Sequence, residues 1–225
     1  MRTIAVIPAY NEARGIYDVV TDVRRYVDEV IVVDDGSNDA TTSLARSAGA
    51  VVLCHSINRG QGAALATGVA LALEERADII VHFDADGQHD AHDITLLTEP
   101  IRDGRADIVL GSRFLGHAVN LPLKRRILLK AGILFTRFFS GIYLSDTNNG
   151  LRAFSRSAAT KLPIRHDGWA HASEILDGIA DLKLRYVEVP VTVHYTPYSL
   201  AHGQSSVNAL TIVRDLVIEK FFPHR

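Results

Sequence analysis

Residues 79–89 read Ile79-Ile80-Val81-His82-Phe83-Asp84-Ala85-Asp86-Gly87-Gln88-His89. A short, nearly continuous apolar run suits a strand buried on both faces, and the acids and glycine after it are turn formers that end it. Alternate residues of extended chain face one side, so Asp84 and Asp86 can approach one ligand and Gln88 can extend the row. Two close carboxylates repel, and a hard divalent cation holds both ionised. Oxygen ligands of this kind suit Mg2+ or Mn2+, above all when a bound diphosphate completes the coordination. A lone Asp-X-Asp is a weak motif that a capped turn also explains; its place after a buried strand strengthens it.

Working outward, β-branched runs at residues 3–7, 29–33, 50–54, 78–83 and 107–110 alternate with helical spacing at 14–27, 39–48, 60–75 and 93–101. That alternation predicts an α/β fold with a mostly parallel, Rossmann-like central sheet and helices on both faces. Ligands of such sheets lie beyond the carboxyl ends of the strands. The residues found there are Pro8-Ala9-Tyr10-Asn11-Glu12, Asp34-Asp35-Gly36-Ser37, Asp84 to His89, and Gly111-Ser112-Arg113-Phe114. Acids, amides, glycines and an arginine on one sheet edge predict a site, although each loop alone would make a good turn or cap.

Asp34 and Asp35 stand where a doubly wound fold uses an acid to accept hydrogen bonds from ribose or base, with an Asx turn as the plain alternative. Asn58-Arg59-Gly60-Gln61-Gly62 opens a helix with two glycines, which predicts close backbone approach and N–H groups turned to an anion. No Walker lysine follows, and no Gly-X-Gly-X-X-Gly stands after the first strand, so ATP-driven work and NAD chemistry are disfavoured.

The chain has 225 residues, 47% of them apolar and 22% charged, and 24 Lys plus Arg against 26 Asp plus Glu give a net charge of -2. That balance gives no electrostatic reason to expect nucleic acid as a partner. A single cysteine, Cys54, excludes a disulfide framework and a four-cysteine zinc site, and reads as a small core residue. His89 and His92 have no third soft ligand nearby, so their spacing reads as incidental.

The second half predicts a helix over 124–140, the polar turn 145–150, a strand at 151–154, a helix over 170–182, a strand pair at 185–189 and 191–195, and a last helix over 207–222. Trp169 and His171 open the 170–182 helix, near an acceptor pocket or in ordinary packing.

The segments IPAYNE, VVDDGSNDAT, NRGQGAALATG, FDADGQH, GSRF and DTNNGLRAF, spread over residues 4–154, resemble those of family 2 inverting glycosyltransferases of the GT-A fold. Within that family the chain is most similar to the polyprenol-phosphate mannosyl- and glucosyltransferases. The resemblance implies a single domain over 1–225, with a nucleotide-binding half at 1–115 and an acceptor-binding half at 116–225. It implies that a sugar moves, with inversion, from a UDP- or GDP-sugar to a polyprenyl phosphate or to a glycan or lipid-linked hydroxyl, in cell-surface polysaccharide or glycolipid synthesis. Carried over residue by residue, Pro8, Tyr10 and Glu12 would border the nucleotide, Asp34 and Asp35 would hold ribose and base, and Gly60 and Gln61 would lie near the base. Asp84, Asp86 and Gln88 would gather the metal and the diphosphate, with Asp86 counted as catalytic. For a hydroxyl acceptor Asp146 would be the general base; for a lipid phosphate, already anionic, Arg113 and Arg125 would clamp it and Asp146 would orient.

Two other classes compete: a sugar-nucleotide nucleotidyltransferase, which the loop PAYNE disfavours, and a catalytically silent nucleotide-sugar-binding protein, against which the retained acids argue. One departure from the polyprenol-phosphate enzymes is the absence of basic residues around Ala201-His202-Gly203-Gln204-Ser205. Residues 123–142 mix bases with apolar side chains, which suits either peripheral contact with an anionic membrane or a core or dimer helix. With no signal-like start, and with Lys130 and Arg137 interrupting the apolar stretch 127–144, the expectation is a cytoplasmic protein working at most at the inner face of the membrane.

Overall fold

A computed structural model describes residues 1–196, with backbone alone at 139 and 140. The predicted helix over 207–222 and the segment 200–206 lie outside the described residues. The element order is β1 (Thr3–Ala9), α1 (Ile16–Val23), β2 (Glu29–Asp34), α2 (Thr41–Ser47), β3 (Val51–Cys54), α3 (Gln61–Glu74), β4 (Ile79–His82), α4 (Ile94–Arg102), β5 (Ile108–Val119), α5 (Leu123–Ser140), β6 (Arg152–Ser155), α6 (Arg156–Lys161), α7 (His171–Asp181) and β7 (Tyr186–His194).

The strands form one seven-stranded sheet in the order β3-β2-β1-β4-β6-β5-β7. All pairings are parallel except those of β6, which runs antiparallel to β4 and β5. The entrance of β6 therefore lies at the edge where β1, β2 and β4 end, and His82 pairs with Arg152 there.

Strand β1 carries both cores because its side chains alternate. Ala5 and Ile7 join a cluster with Val19, Val20, Ile94 and Leu97 from α1 and α4 on one face. Ile4 and Val6 join Leu65, Ala72, Ile175 and Ile179 from α3 and α7 on the other. Each fully buried Val, Leu or Ile among them contributes about 1.5–3 kcal/mol, which anchors the strands whose ends form the site.

The sequence pattern ends β1 at Ile7 because Pro8 follows, yet the strand continues to Ala9. Its ladder with β4 stops at Val6, so the N–H that Pro8 lacks is not needed on that side. Two larger corrections concern β5 and β7. Gly111 to Phe114, read as a loop, lies inside the 12-residue strand β5. The expected strand pair at 185–195 is one strand running through Pro190. Strand β7 is the sheet's edge, where proline is tolerated, and its register with β5 shifts between Ser112 and His117. Cys54 is a third correction: it ends the edge strand β3 and is exposed, not a core residue.

Helix α6 has no counterpart in the sequence reading. It is capped by the Ser155 hydroxyl, which accepts from the Ala158 N–H at 3.1 Å.

Candidate active site

The strand ends converge on a cleft of about 370 Å3. Its wall includes Pro8 near the end of β1 and Tyr10 and Glu12 after it, Gly60 and Gln61 before and at the start of α3, and Asp84, Asp86 and Gln88 after β4. Asp35, Arg113 and Arg125 complete the set of predicted residues that meet there. Asp34 and Asp146 do not line it.

Asp84 Oδ1 accepts from Gln61 Nε2 at 2.9 Å, and Oδ2 lies 3.2 Å from His89 Nε2, the donor against an ionised carboxylate. Burial pushes the Asp84 carboxyl up, but the hydrogen bond to His89 and the charges of His89, His171 and Arg152 outweigh it, leaving the group below the ordinary value. Asp86 differs: burial and the negative charge of Asp84 hold its carboxyl above the ordinary value. Its Oδ1 accepts the Gln88 N–H at 3.0 Å across a turn in which Gly87 has φ +69°.

These residues fit a hard divalent cation. Two carboxylates share one wall, and one of them resists ionisation because of its burial and then because of the other's charge, a conflict that a positive charge between them relieves. Among the described residues no group of three or more His, Cys, Asp and Glu side chains forms a metal cage. The chain offers two carboxylates and leaves the rest of a cation's shell to water and to phosphate oxygens, the usual arrangement for Mg2+.

Three buried groups back this wall. Burial lowers Arg152 to about 10, with Asp84 and Asp146 opposing the shift. His171, its Nδ1 2.8 Å from the Gly168 carbonyl, is lowered by burial to about 4. His82, packed on Phe154 with ring centroids 4.6 Å apart, is lowered by burial to about 3.

The second strand's acids serve the chain itself. Asp34 accepts from the Ser37 N–H at 2.9 Å and from the Thr42 hydroxyl, the Asx-turn alternative. Asp35 borders the cleft, but its carboxylate accepts from Gly60 N at 2.6 Å and Arg59 N at 3.0 Å and lies 2.6 Å from His55 Nδ1. It thereby folds the 58–60 loop against β2. At the start of α3, where the sequence predicts an anion cradle, the Ala63 N–H donates to the Asp167 carbonyl at 3.1 Å. The glycines there admit protein backbone, since a Cβ on Gly62 would stand 1.9 Å from the His166 carbonyl oxygen and one on Gly60 2.4 Å from that of Asp167.

Arg113 and Asp146 form a buried pair, 33 residues apart in sequence. Arg113 Nε donates to Asp146 Oδ2 at 2.5 Å, one terminal nitrogen donates to the Tyr195 hydroxyl, and the other to the Asn148 carbonyl at 2.8 Å. Asp146 is 3% exposed, does not border the cleft, and has its Oδ2 taken by Arg113. Glu188 on β7 fixes the turn, accepting from Ser145 N at 2.8 Å and Asp146 N at 3.1 Å. Arg125 lies over the Tyr195 ring at 5.4 Å.

Sequence reasoning missed His55, His89 as a partner of Asp84, Arg152, Glu188 and Tyr195. Only His89, in the quoted stretch itself, carried a local signal. Its neighbour His92 packs on Tyr26 and takes no part. Trp169 does line the cleft.

Helix α5 flanks the opening. Leu123, Ile127, Leu134 and Phe138 recur on one side of it and are 73, 62, 69 and 82% exposed, while Leu129 on the opposite side is buried. No helix among the described residues is long and apolar enough to cross a membrane.

The model of the family described as "Glycosyl transferase family 2" matches residues 4–162. The UDP-N-acetylglucosamine--dolichyl-phosphate N-acetylglucosaminyltransferase of Methanococcus voltae is 34% identical over 96% of this chain and 94% of that protein. The undecaprenyl-phosphate mannosyltransferase of Micrococcus luteus is 34% identical over 85% of this chain and 83% of its own. Among solved structures, glucosyl-3-phosphoglycerate synthase of Mycobacterium tuberculosis, in complex with Mn2+, UDP-glucose and phosphoglyceric acid, superposes with a TM-score of 0.76. It is 22% identical, and the match covers 99% of this chain and 81% of that one, a likeness of fold.

Proposed function

Since the chain belongs to glycosyl transferase family 2, we propose that it transfers a sugar, with inversion, from a nucleoside-diphosphate sugar to a polyprenyl phosphate in glycan assembly. Two relatives of near-complete overlap are named for sugar transfer to dolichyl or undecaprenyl phosphate. The observation that carries the choice of acceptor is the burial of Asp146 beneath Arg113. A hydroxyl acceptor needs a base facing it, whereas a phosphate is already ionised and needs cations.

The residues divide the work accordingly. Pro8, Tyr10, Glu12 and Gln61 border the nucleotide, with the 58–60 loop held in place by Asp35. Asp84 and Asp86 would hold Mg2+ or Mn2+, beside Gln88, and the cation supplies charge neutralisation for the departing nucleoside diphosphate. His89 and Gln61 orient Asp84 through its two oxygens. Arg113, fixed by Asp146, and the less buried Arg125 receive the acceptor phosphate, because guanidinium meets phosphate in two-point geometry. The phosphate oxygen attacks the anomeric carbon from the face opposite the leaving group, which inverts the configuration without a covalent sugar-enzyme intermediate.

The exposed apolar side of α5, flanked by Lys124, Arg126, Lys130 and Arg137, rests on the anionic inner face of a membrane, and Arg125 on the same helix reaches the cleft. On this reading the work is done at the membrane surface, from the cytoplasmic side.

The test offers the purified chain, with Mn2+ and a panel of UDP- and GDP-sugars, either a polyprenyl phosphate or the corresponding free polyprenol. Sugar should appear on the phosphate. Equal transfer to the alcohol would return Asp146 to the role of base and overturn the acceptor assignment.

A further inference from the structure

Tyr195 touches both arginines of the acceptor wall, through different parts of its side chain. Its hydroxyl accepts from Arg113, and its ring face lies beneath the Arg125 guanidinium at 5.4 Å. The residue is 3% exposed, and its backbone N–H donates to the Val119 carbonyl at 3.0 Å, which fixes it to the end of the β5–β7 ribbon. Asp146 and Asn148 hold two of the three Arg113 guanidinium nitrogens, and the Tyr195 hydroxyl holds the third. Arg125 is half-buried on the first turn of α5, and an arginine there loses side-chain freedom only by finding a partner. The face of an aromatic ring holds a cation in place while leaving its N–H edge available, as a carboxylate would not.

We infer that Tyr195 is a positioning residue that sets the separation and orientation of Arg113 and Arg125, so that two guanidinium groups meet one phosphate. This rests on the acceptor-phosphate reading above. It extends that reading to a residue that never meets the donor: Tyr195 does not border the cleft, and its effect passes through the arginines.

The experiment measures binding of farnesyl phosphate to the full chain by titration calorimetry without donor, and the acceptor and donor KM values in steady-state turnover. Tyr195→Phe keeps the ring and loses the hydroxyl, so binding should weaken about threefold to tenfold. Tyr195→Leu loses both contacts and should weaken it at least tenfold further. In both variants the donor KM should stay within twofold of the parent, and melting should remain cooperative. Arg125→Ala separates the two levels of the argument. If it leaves farnesyl phosphate binding unchanged, the acceptor site itself is misplaced. If Arg125→Ala weakens binding but Tyr195→Leu does not, the site stands and the role of Tyr195 is refuted. Equal losses of donor and acceptor affinity in Tyr195→Leu, with no recovery in Tyr195→Phe, would also refute it, because they would mark a purely structural residue.

Discussion

Gly150 and Asp84 approach so closely that a Cβ on residue 150 would stand 2.1 Å from Asp84 Oδ2. The turn entering β6 thus presses on the first acid after β4, and the antiparallel strand that interrupts the parallel sheet helps to shape the site. Gly150→Ala should displace the carboxylate from Gln61 and His89. Turnover should fall by about two orders of magnitude or more, with a loss of about 1–3 kcal/mol in stability from overpacking. The control is Gly132→Ala on α5, where a Cβ meets nothing nearer than 3.7 Å. It should keep full turnover and gain about 0.5–1 kcal/mol in urea unfolding.

His82 makes stability depend on pH. Its folded value, about 3, lies below the ordinary 6.5, so the folded chain keeps it neutral while the unfolded chain protonates it. Between those values the unfolded state binds more protons, and stability falls as pH is lowered from about 6.5 towards 3. His171, at about 4, adds a second contribution in the upper part of that window. Each histidine contributes at most about 1.4 kcal/mol per pH unit. In His82→Leu the slope of unfolding free energy between about pH 5 and 6 should shrink by up to that amount. An unchanged slope would mean that His82 is protonated in the folded state.

Membrane contact is tested on the exposed side of α5. Ile127→Gln with Leu134→Gln should reduce flotation with vesicles containing anionic lipid at least fivefold and leave turnover on a detergent-dispersed short-chain acceptor unchanged, since neither residue borders the cleft. Retained flotation would assign that surface to something other than lipid.

The parts of the fold that were legible in the sequence are those set by neighbours in the chain. β-branched runs and the turn residues after them placed the ends of β1, β2 and β4 to within two residues, and the loops that follow do meet at the cleft. Strand β5 beyond Leu110 was not legible, because Gly111 and Gly116 look like punctuation. The strand runs on because β7 pairs with it at Gly111 and Ser112 and again from His117 to Val119, and at the irregularity between them a Cβ on Gly116 would stand 2.3 Å from the Val191 carbonyl oxygen. Polar residues spent on folding also look the same in sequence as those left for a ligand. Asp35 and Asp84 each follow a buried strand, yet Asp35 is occupied by the loop amides at 59 and 60. The burial of Asp146 depends on a partner 33 residues away, which no local pattern reveals.

Asp84 and Asp86 should make donor binding depend on a divalent cation. The most direct measurement is calorimetric titration of UDP and GDP into the full chain, with and without Mn2+, for the parent and Asp86→Asn, at pH values from about 5 to 8. Burial and the charge of Asp84 hold the Asp86 carboxyl above its ordinary value in the free protein, so protons compete with the cation there, and the gain in nucleotide affinity from Mn2+ should weaken as pH is lowered. The account predicts at least tenfold tighter binding of one nucleotide with Mn2+ in the parent, and loss of that gain in Asp86→Asn. Equal affinity with and without Mn2+, or a full gain retained in Asp86→Asn, would contradict it.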